Sequence, residues 1–321
     1  MIDLPLDQVR TLLAAVDEGT FEAAAEVLHV TPSAVSQRVK ALEQRTGRVL
    51  LLRTKPVRLT ESGEVVVRFG RQLTRLERDA AEELGIGERT GPATLPIAVN
   101  ADSLATWFLP ALAGLGEDLG VCFDLHRDDQ DHTAHLLRQG RVMAAVTSSP
   151  EPVQGCSVRP LGRMRYRAMA APGFVARHLA DGSPSDLLPS APVVVFDRKD
   201  DLQDRFLREL APGRPPGRFR TYVPSSESFV EAVAAGLGWG MIPDAQAAAH
   251  RAAGTLTDLA PTRPVDVALY WQQWKLDSPA LAAVAEAVAR TAARALARPE
   301  GRGGSDRAAV RPPAPGRAAA R

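Results

Sequence analysis

Long apolar segments are missing from this chain of 321 residues. Its apolar runs are short, such as VVVF at 193–196, whereas a helix that crosses a membrane needs about 20 apolar residues. The first ten residues, MIDLPLDQVR, contain two acidic side chains and lack the apolar core of a secretory signal. We therefore expect a cytoplasmic protein without a membrane partner.

Cysteine is scarce as well. The two cysteines, Cys122 and Cys156, do not have the spacing of a metal site. In a reducing compartment such residues are more often buried thiols than a disulfide. We expect both to be buried and reduced, and we expect no metal.

The sequence also lacks the motifs of common enzyme classes. His126, His132 and His135 do not form HExxH or another ligand-spaced set. GLGWG at 236–240 is shorter than a dinucleotide fingerprint and is typical of the stop of a helix. Neither a Gly-x-Ser-x-Gly elbow nor a phosphate-binding loop occurs. These absences argue against an enzyme, so we expect no catalytic residues and no cofactor.

Residues 21–45, FEAAAEVLHVTPSAVSQRVKALEQR, contain two short helical patterns. In the first, apolar residues recur at helical spacing and leave Glu22 and Glu26 facing water. Thr31 is a good N-cap for the second helix, and Pro32 at its first position loses no hydrogen bond. Two helices joined by so short a turn indicate a helix-turn-helix, whose second helix enters the major groove of DNA. An ordinary helical hairpin with a solvated polar face is the alternative.

A basic segment follows this pattern. Residues 38–58 hold seven basic side chains against one acid, Glu43, although the whole chain has a net charge of only +1. VLLLRTKPVRLT at 49–60 predicts two short strands around a Lys55-Pro56 turn, as in a winged helix-turn-helix. Basic side chains attract phosphates, and hydroxyl, amide and lysine groups on the helix can read bases. The predicted DNA-binding residues are Thr31, Pro32, Ser33, Ser36, Gln37, Lys40, Arg53, Lys55 and Arg58.

The order of residues from Phe21 to Gly63, including FEAAAEVLHVTPSAVS and RTKP, resembles the N-terminus of LysR-type transcriptional regulators. NADSLATWFLP, DDQDH, GLGWGMIP and YWQQWKLDSP are similar to the LysG/ArgP branch of that family, which controls basic amino-acid export. The family pattern has glutamine where this chain has Pro32, so we expect Ser33 or Gln37 to replace that base contact. The resemblance spans nearly the whole chain.

Residues 61–86 predict one long helix, which is followed by a glycine-rich break. Its apolar residues alternate in steps of three and four, as in a coiled coil. Fewer than three heptads do not distinguish a dimer helix from one packed on its own domain. The resemblance favours dimerisation, which fits the need for two recognition helices on two half-sites. The predicted dimerisation residues are Val66, Phe69, Leu73 and Leu76.

From residue 94 strands and helices alternate, which predicts an α/β domain with a parallel sheet. The strands are TLPIAVNA, VCFDLHRDD and VMAAVTSS, then segments near 165–170, 193–196, 219–223 and 267–274. The resemblance implies two lobes, like those of periplasmic binding proteins, with a ligand between them. Since ligands bind at the carboxyl ends of strands in such sheets, the candidate walls are 100–103, 128–132, 147–149 and 225–228.

The side chains in these stretches indicate an amino acid with a cationic side chain. Helix starts near Ser103 and Glu227 can hold a carboxylate, and the acids at 128–131 can hold an ammonium or guanidinium group. An acidic loop before a helix is more often a solvated cap, and Trp107 at helical spacing from Ser103 is more often core. Given the resemblance, the predicted effector is L-lysine or L-arginine, and its predicted binding residues are Asn100, Asp102, Ser103, Trp107, Asp129, Asp131, Thr147 and Glu227.

The predicted organisation has four parts. They are a winged helix-turn-helix at 1–60, a linker helix and hinge at 61–91, a two-lobed α/β effector domain at 92–298 and a disordered tail at 299–321. The predicted function is control of an amino-acid exporter gene by a homodimer or homotetramer that binds promoter DNA, with RNA polymerase as a further partner. A chromosome-associated protein that binds DNA irrespective of sequence is the alternative, and the effector domain argues against it.

Overall fold

The computed structural model describes residues 4–85, 93–113, 115, 119–127, 130–215 and 217–297, with only the backbone described at 82–83, 93 and 130–132. Most of the predicted hinge and the whole predicted tail therefore lie outside the described residues. The N-terminal part consists of α1 (Leu6–Asp17), α2 (Phe21–Val27), α3 (Pro32–Thr46), β1 (Leu51–Leu52), β2 (Arg58–Leu59) and α4 (Glu61–Leu84).

Two threonine caps set the predicted helix-turn-helix. Thr20 Oγ1 accepts a hydrogen bond from Ala23 N at 3.1 Å, and Thr31 Oγ1 accepts one from Ala34 N at 3.2 Å. His29, in the turn between the helices, has a φ of 53°. Each cap satisfies one N–H group that a first helical turn leaves without a partner. The predicted start of the second helix at Pro32, after a Thr31 cap, is confirmed.

The predicted wing is confirmed as an antiparallel pair of β1 and β2. Glu43 in α3 fixes the start of the wing, because its Oε1 accepts a hydrogen bond from Leu50 N at 2.8 Å. Thr60 Oγ1 donates to Val49 O at 2.7 Å and accepts from Gly63 N at 3.0 Å. Two side chains thus tie the wing to the helices before and after it.

The predicted long helix is confirmed as α4, but its residues face two environments. Val66 is 7% exposed and belongs to the core that α1, α2 and α3 form. The assignment of Val66 to a dimer seam is therefore corrected, because this side chain is already buried within its own chain. Phe69 and Leu76 are 41% and 43% exposed, and Leu73 is half-buried.

The C-terminal part contains nine strands and the helices that connect them in the described residues. Its elements are β3 (Ala93–Val99), α5 (Ala101–Ser103), a π-helical segment (Leu104–Phe108), α6 (Leu109–Ala113), β4 (Val121–Arg127), α7 (Gln130–Arg138), β5 (Ala144–Thr147), β6 (Cys156–Ala170), α8 (Pro172–His178), α9 (Pro184–Leu187), β7 (Val193–Val195), α10 (Leu202–Leu210), β8 (Arg220–Tyr222), α11 (Ser226–Ala234), β9 (Gly240–Pro243), α12 (Asp244–Ala252), β10 (Thr257–Asp258), β11 (Val265–Trp274) and α13 (Pro279–Ala295).

These strands form two lobes, and two of the strands, β6 and β11, are long and join the lobes. In the first lobe β3 runs parallel to β4 and β5, as predicted. In the second lobe β7 runs parallel to β8. The long strands β6 and β11 pair antiparallel with each other and pass through both lobes, with β11 joining β5 and β6 joining β9 and β10. The predicted parallel sheet is therefore mixed, because the crossing strands β6 and β11 pair antiparallel.

The core of the C-terminal part is continuous across the crossing strands. Phe108 stacks on Trp271 with ring centroids 6.4 Å apart, and both side chains are buried. Cys156 is buried, as predicted, whereas Cys122 is exposed because it lies on the outer strand β4. Among the described residues, no helix combines the length and the apolarity needed to cross a membrane.

Candidate DNA interface and ligand cleft

The outer face of α3 and the wing present the side chains that were predicted to bind DNA. Residues Thr31, Pro32, Ser33, Gln37, Lys40, Arg53, Lys55 and Arg58 are exposed, and Ser36 is half-buried. Their neighbours Val35, Val39 and Leu42 are buried, so α3 packs by one face and leaves the other to solvent. This exposure leaves the polar face available to a DNA groove.

The wing is also tied to the first helix of the motif. The guanidinium carbon of Arg53 lies 5.7 Å from the ring centroid of Phe21, within the range of a cation–π contact. This contact restrains a long basic side chain beside α2. A restrained cation loses less conformational entropy when it pairs with a phosphate.

A cavity of about 420 Å³ lies between the two lobes. This size is within the range of sites for small molecules. Both lobes and both crossing strands supply its walls. The polar side chains in its lining come from Asn100, Asp102, Ser148, Tyr166, Asp197, Lys199, Asp200, Asp201, Gln203, Arg205, Ser226, Gln246 and Asp266.

Asp102 connects three parts of this cleft. Its carboxylate accepts hydrogen bonds from Tyr166 Oη on β6 at 2.8 Å and from Ser226 Oγ on α11 at 2.6 Å. Asp102 belongs to the first lobe and Ser226 to the second, so the Ser226 bond joins the lobes directly. Enclosure of the carboxyl group raises the pKa of Asp102, and nearby Asp200 adds to the increase, while the two hydroxyl donors oppose it.

Asp200 supplies a second carboxylate from the loop after β7. It accepts hydrogen bonds from Phe196 N at 3.1 Å and Leu202 N at 3.0 Å, which fix the loop against the start of α10. Burial raises the pKa of Asp200, and these backbone donors oppose the increase. Two carboxyl groups with a raised pKa therefore face one cavity, and the charge of Asp200 disfavours the ionisation of Asp102.

Two buried polar atoms of the cleft also favour a hydrogen-bond donor as the ligand. Within the described part of the chain, Asn100 Oδ1 and Gln203 Oε1 are buried and have no hydrogen-bond partner. Both residues line the cavity, and both atoms are acceptors. A buried acceptor without a partner is costly, so this cavity favours a ligand that donates hydrogen bonds.

The structure separates the predicted effector-binding residues. Asn100 and Asp102 line the cleft, whereas Ser103 and Trp107 are buried on the core side of the same helix. Their assignment to the wall is corrected, because residues four apart share a helix face and that face packs inward. Trp107 is core, which was the alternative prediction, and it also lines a second cavity of about 310 Å³.

Thr147 and Glu227 are not among the residues that line the cleft, but each is next in sequence to one that does. Thr147 is buried and its Oγ1 accepts a hydrogen bond from Ser149 N at 3.1 Å, while Ser148 faces the cleft. Glu227 is exposed, while Ser226 faces the cleft. Adjacent residues point in different directions, so a stretch can be correct when the chosen residue is not. Asp129 and the side chain of Asp131 lie outside the described part of the structure, and their roles stay predictions.

The loop from Phe196 to Gln203 is the main part of the cleft that the sequence analysis missed. It follows β7, a strand that was predicted, and it carries Asp197, Asp200 and Asp201. The rule that ligands bind at the carboxyl ends of strands, applied to this strand as well, was sufficient to find it.

Comparisons with known proteins identify relatives of both parts of the chain. Residues 6–64 match the family described as bacterial regulatory helix-turn-helix protein, lysR family, and residues 89–293 match the LysR substrate binding domain. The HTH-type transcriptional regulator LysG of Mycobacterium tuberculosis is 47% identical over 300 residues, covering 93% of this chain and 97% of that protein. The lysine export transcriptional regulatory protein LysG of Corynebacterium efficiens is 46% identical over 286 residues, covering 89% and 97%.

A solved structure is similar over the same length. The match to full-length LysG from Corynebacterium glutamicum with bound effector Arg has a TM-score of 0.78 and 42% identity. It covers 92% of this chain and 100% of that chain.

The raised pKa of Asp102 predicts how stability depends on pH. The folded protein holds this proton more tightly than the unfolded chain, so folding stability falls as the pH rises from the ordinary value of 3.8 through the raised pKa. We expect the free energy of unfolding of the unmodified protein, minus that of Asp102→Asn, to decrease as the pH rises above the ordinary value of 3.8. Denaturant unfolding followed by tryptophan fluorescence measures it, since all four tryptophans lie in the C-terminal part. Asp181→Asn, which removes an exposed carboxylate, is the control; a difference that rises with pH would contradict the assignment.

Proposed function

This chain belongs to the LysR family of bacterial transcriptional regulators, and from that premise we propose that its cleft senses a basic amino acid, L-lysine or L-arginine. Members of this family are regulators rather than enzymes, and DNA binding is the task of the helix-turn-helix. The proposal concerns the ligand, the DNA contacts and the assembly.

The observation that carries the ligand proposal is the pair of carboxyl groups, Asp102 and Asp200, facing one cavity. Burial raises the pKa of both carboxyl groups, and the charge of Asp200 raises the pKa of Asp102 further. A bound ammonium or guanidinium group relieves this repulsion and gives charge-assisted hydrogen bonds. The relatives named for lysine export or solved with bound Arg support the same chemical class.

An amino acid also needs a partner for its own carboxylate. Arg205 lines the cleft on α10, opposite in charge to the two aspartates. We propose that Arg205 receives the ligand's carboxylate and that Asp102 and Asp200 receive its cation. Ser103, the earlier candidate for the carboxylate, has a buried side chain. Asp131 stays the alternative cation partner.

Calorimetry on the full-length protein tests the ligand. We expect Asp102→Asn and Asp200→Asn each to weaken L-arginine binding about ten- to a hundredfold, because a charged hydrogen bond contributes ~1.5–3 kcal/mol. L-citrulline, which has the shape of arginine without its charge, should bind poorly to the unmodified protein.

Asp181→Asn again serves as the matched control, and Asp131→Asn tests the alternative partner. If both cleft variants keep full affinity while Asp131→Asn loses it, the cation lies at Asp131. If neither L-arginine nor L-lysine binds the unmodified protein, the basic amino-acid ligand is refuted.

We propose that the bases are read by Ser33, Ser36 and Gln37 and that Arg53 and Lys55 hold phosphates. The support is the exposure of these side chains on α3 and the wing, and the contact that holds Arg53 beside Phe21. Base contacts decide sequence preference, and phosphate contacts contribute affinity irrespective of sequence.

Competition binding separates these roles, with an operator selected from random DNA by the unmodified protein. Arg53→Ala should weaken operator and random DNA alike and reduce the salt slope by about one. Gln37→Ala should mainly relax sequence preference, at a cost of ~1–3 kcal/mol. Selection that yields no preferred operator would favour the chromosome-associated alternative.

The exposed face of α4 is the proposed dimer contact. Phe69, Leu73 and Leu76 lie at coiled-coil spacing and remain at least partly exposed in the single chain. Two chains are needed to place two recognition helices on adjacent half-sites.

Charges in this face should prevent pairing. Leu73→Asp with Leu76→Asp is expected to give a smaller species in sedimentation and weak operator binding, because an unpaired charge is costly in an apolar contact. Arg78→Glu, an exposed charge reversal on the same helix, controls for surface charge. An unchanged sedimentation coefficient in the double variant would remove this face from the interface.

The ligand acts by shifting populations. It can favour one arrangement of the lobes only by the difference in its affinity for the two states. The hydrogen bond between Asp102 and Ser226 is well placed for this, because it joins the lobes and touches the proposed cation site. The remaining proposals are a cytoplasmic location, an amino-acid exporter gene as the target, and RNA polymerase as a partner at the promoter.

A further inference from the structure

The end of α7, in the first lobe, lies against the linker helix α4 of the same chain. Seven residues form this contact, which we term the joint: Asp17, Glu64, Arg68, Arg71, His135, Gln139 and Gly140. Asp17 ends α1 of the DNA-binding domain, Glu64 and Arg71 lie on α4, and Gln139 and Gly140 follow α7. The joint therefore brings together the DNA-binding half, the linker and the ligand-binding half.

Arg71 contacts both halves with one guanidinium group. Its Nη1 donates to the backbone carbonyl of Gln139 at 3.0 Å, and its Nη2 donates to Asp17 Oδ1 in an ion pair. The Arg71 side chain is only 19% exposed. Partial burial of the guanidinium group reduces its screening by salt, whereas the Asp17 side chain is 52% exposed. A planar guanidinium also fixes the relative directions of its two partners.

Gly140 allows the two backbones to approach. Its φ is +68°, and a Cβ atom there would lie 2.9 Å from Arg68 Cα and 3.4 Å from Arg71 Cδ. A side chain at this position would push α4 away from α7, since the first neighbour is backbone. Gly120 has a similar φ of +59° with nothing within 4 Å of its Cβ position. The two glycines therefore separate backbone strain from interdomain contact.

Glu64 lies on α4 about two turns before Arg71 and makes further contacts with the end of α7. Gln139 Nε2 donates to Glu64 Oε1 at 3.4 Å, and His135 Nδ1 lies 3.6 Å from the same oxygen. The last turn of α7 is thus fixed at two levels of the linker helix. Contacts at two positions along α4 restrain both rotation and translation of α7 relative to α4.

The other end of α7 starts at the edge of the ligand cleft. This helix follows β4, whose last residue Arg127 pairs with Val99 at the end of β3. Val99 directly precedes Asn100, which lines the cleft. The nine-residue helix α7 therefore runs from the strand ends beside the cleft to the joint.

We propose that the joint docks the ligand-binding half on the linker helix and transmits the state of the cleft to the DNA-binding half of the same chain. The docking is independent of the ligand's identity. The transmission rests on the proposed function, because it requires a ligand in the cleft. Loss of the joint leaves both binding sites intact and removes the coupling free energy between them.

Two variants break the joint and two match them. Gly140→Ala is compared with Gly120→Ala, which has the same strain in open space, and Arg71→Gln with Arg78→Gln, an exposed arginine on the same helix. Hydrogen exchange on the ligand-free, full-length protein measures docking. Amides of residues 134–141 should exchange about fivefold faster in Gly140→Ala and Arg71→Gln than in their controls. Equal exchange within both pairs would overturn the docking.

The coupling is measured as the ratio of operator dissociation constants without and with saturating L-arginine. We expect this ratio to move towards one in Gly140→Ala and Arg71→Gln, with L-arginine affinity unchanged by calorimetry and the controls like the unmodified protein. Faster exchange with an unchanged ratio would overturn transmission through the joint. Failure of L-arginine to bind the unmodified protein would refute the proposed ligand, while the exchange comparison would still decide the docking.

Discussion

The carboxyl group of Asp102 is the point at which the two lobes, the crossing strands and the cavity meet. It accepts one hydroxyl from β6 and one from α11, so its position determines how closely the lobes approach. Its enclosure raises its pKa, which means that the ligand-free protein spends folding stability on an acidic group in a cleft. Groups that are costly for folding and that face a cavity are typical of binding sites.

The DNA-binding half depends on a different kind of constraint. Short local hydrogen bonds, from Thr20 and Thr31 at the helix starts and from Glu43 and Thr60 at the wing, set its shape. Thr31 is also a predicted DNA-binding residue, whereas Thr20, Glu43 and Thr60 are not. The caps and the wing contacts therefore position the polar face of α3 without using Ser33, Ser36 or Gln37, the side chains proposed to read bases.

The contact between the DNA-binding half and the ligand-binding half contributes only a small free energy, which suits a regulator. A hydrogen bond contributes about 1 kcal/mol net, and a typical coupling between sites is only about 1–3 kcal/mol. A joint with an arginine bridge, a close glycine contact and one glutamate has the right magnitude to be biased by a small ligand. A large apolar interface would hold the halves rigidly and would not respond.

The sequence by itself determined what depends on neighbours along the chain. Thr31 and Pro32 start α3, the Lys55-Pro56 turn and its flanking residues form the wing, and the strand ends mark the edge where the cleft lies. Caps, turns and periodicity act within a few residues, so they can be read without a structure. The choice between adjacent residues in the cleft was decided only by tertiary packing. Asp102 faces the cavity and Ser103 the core, and Val66 packs in its own domain instead of a seam. The long strands β6 and β11 run antiparallel, and Arg71 meets Gln139, because strand order and domain docking bring together segments that are distant in the chain.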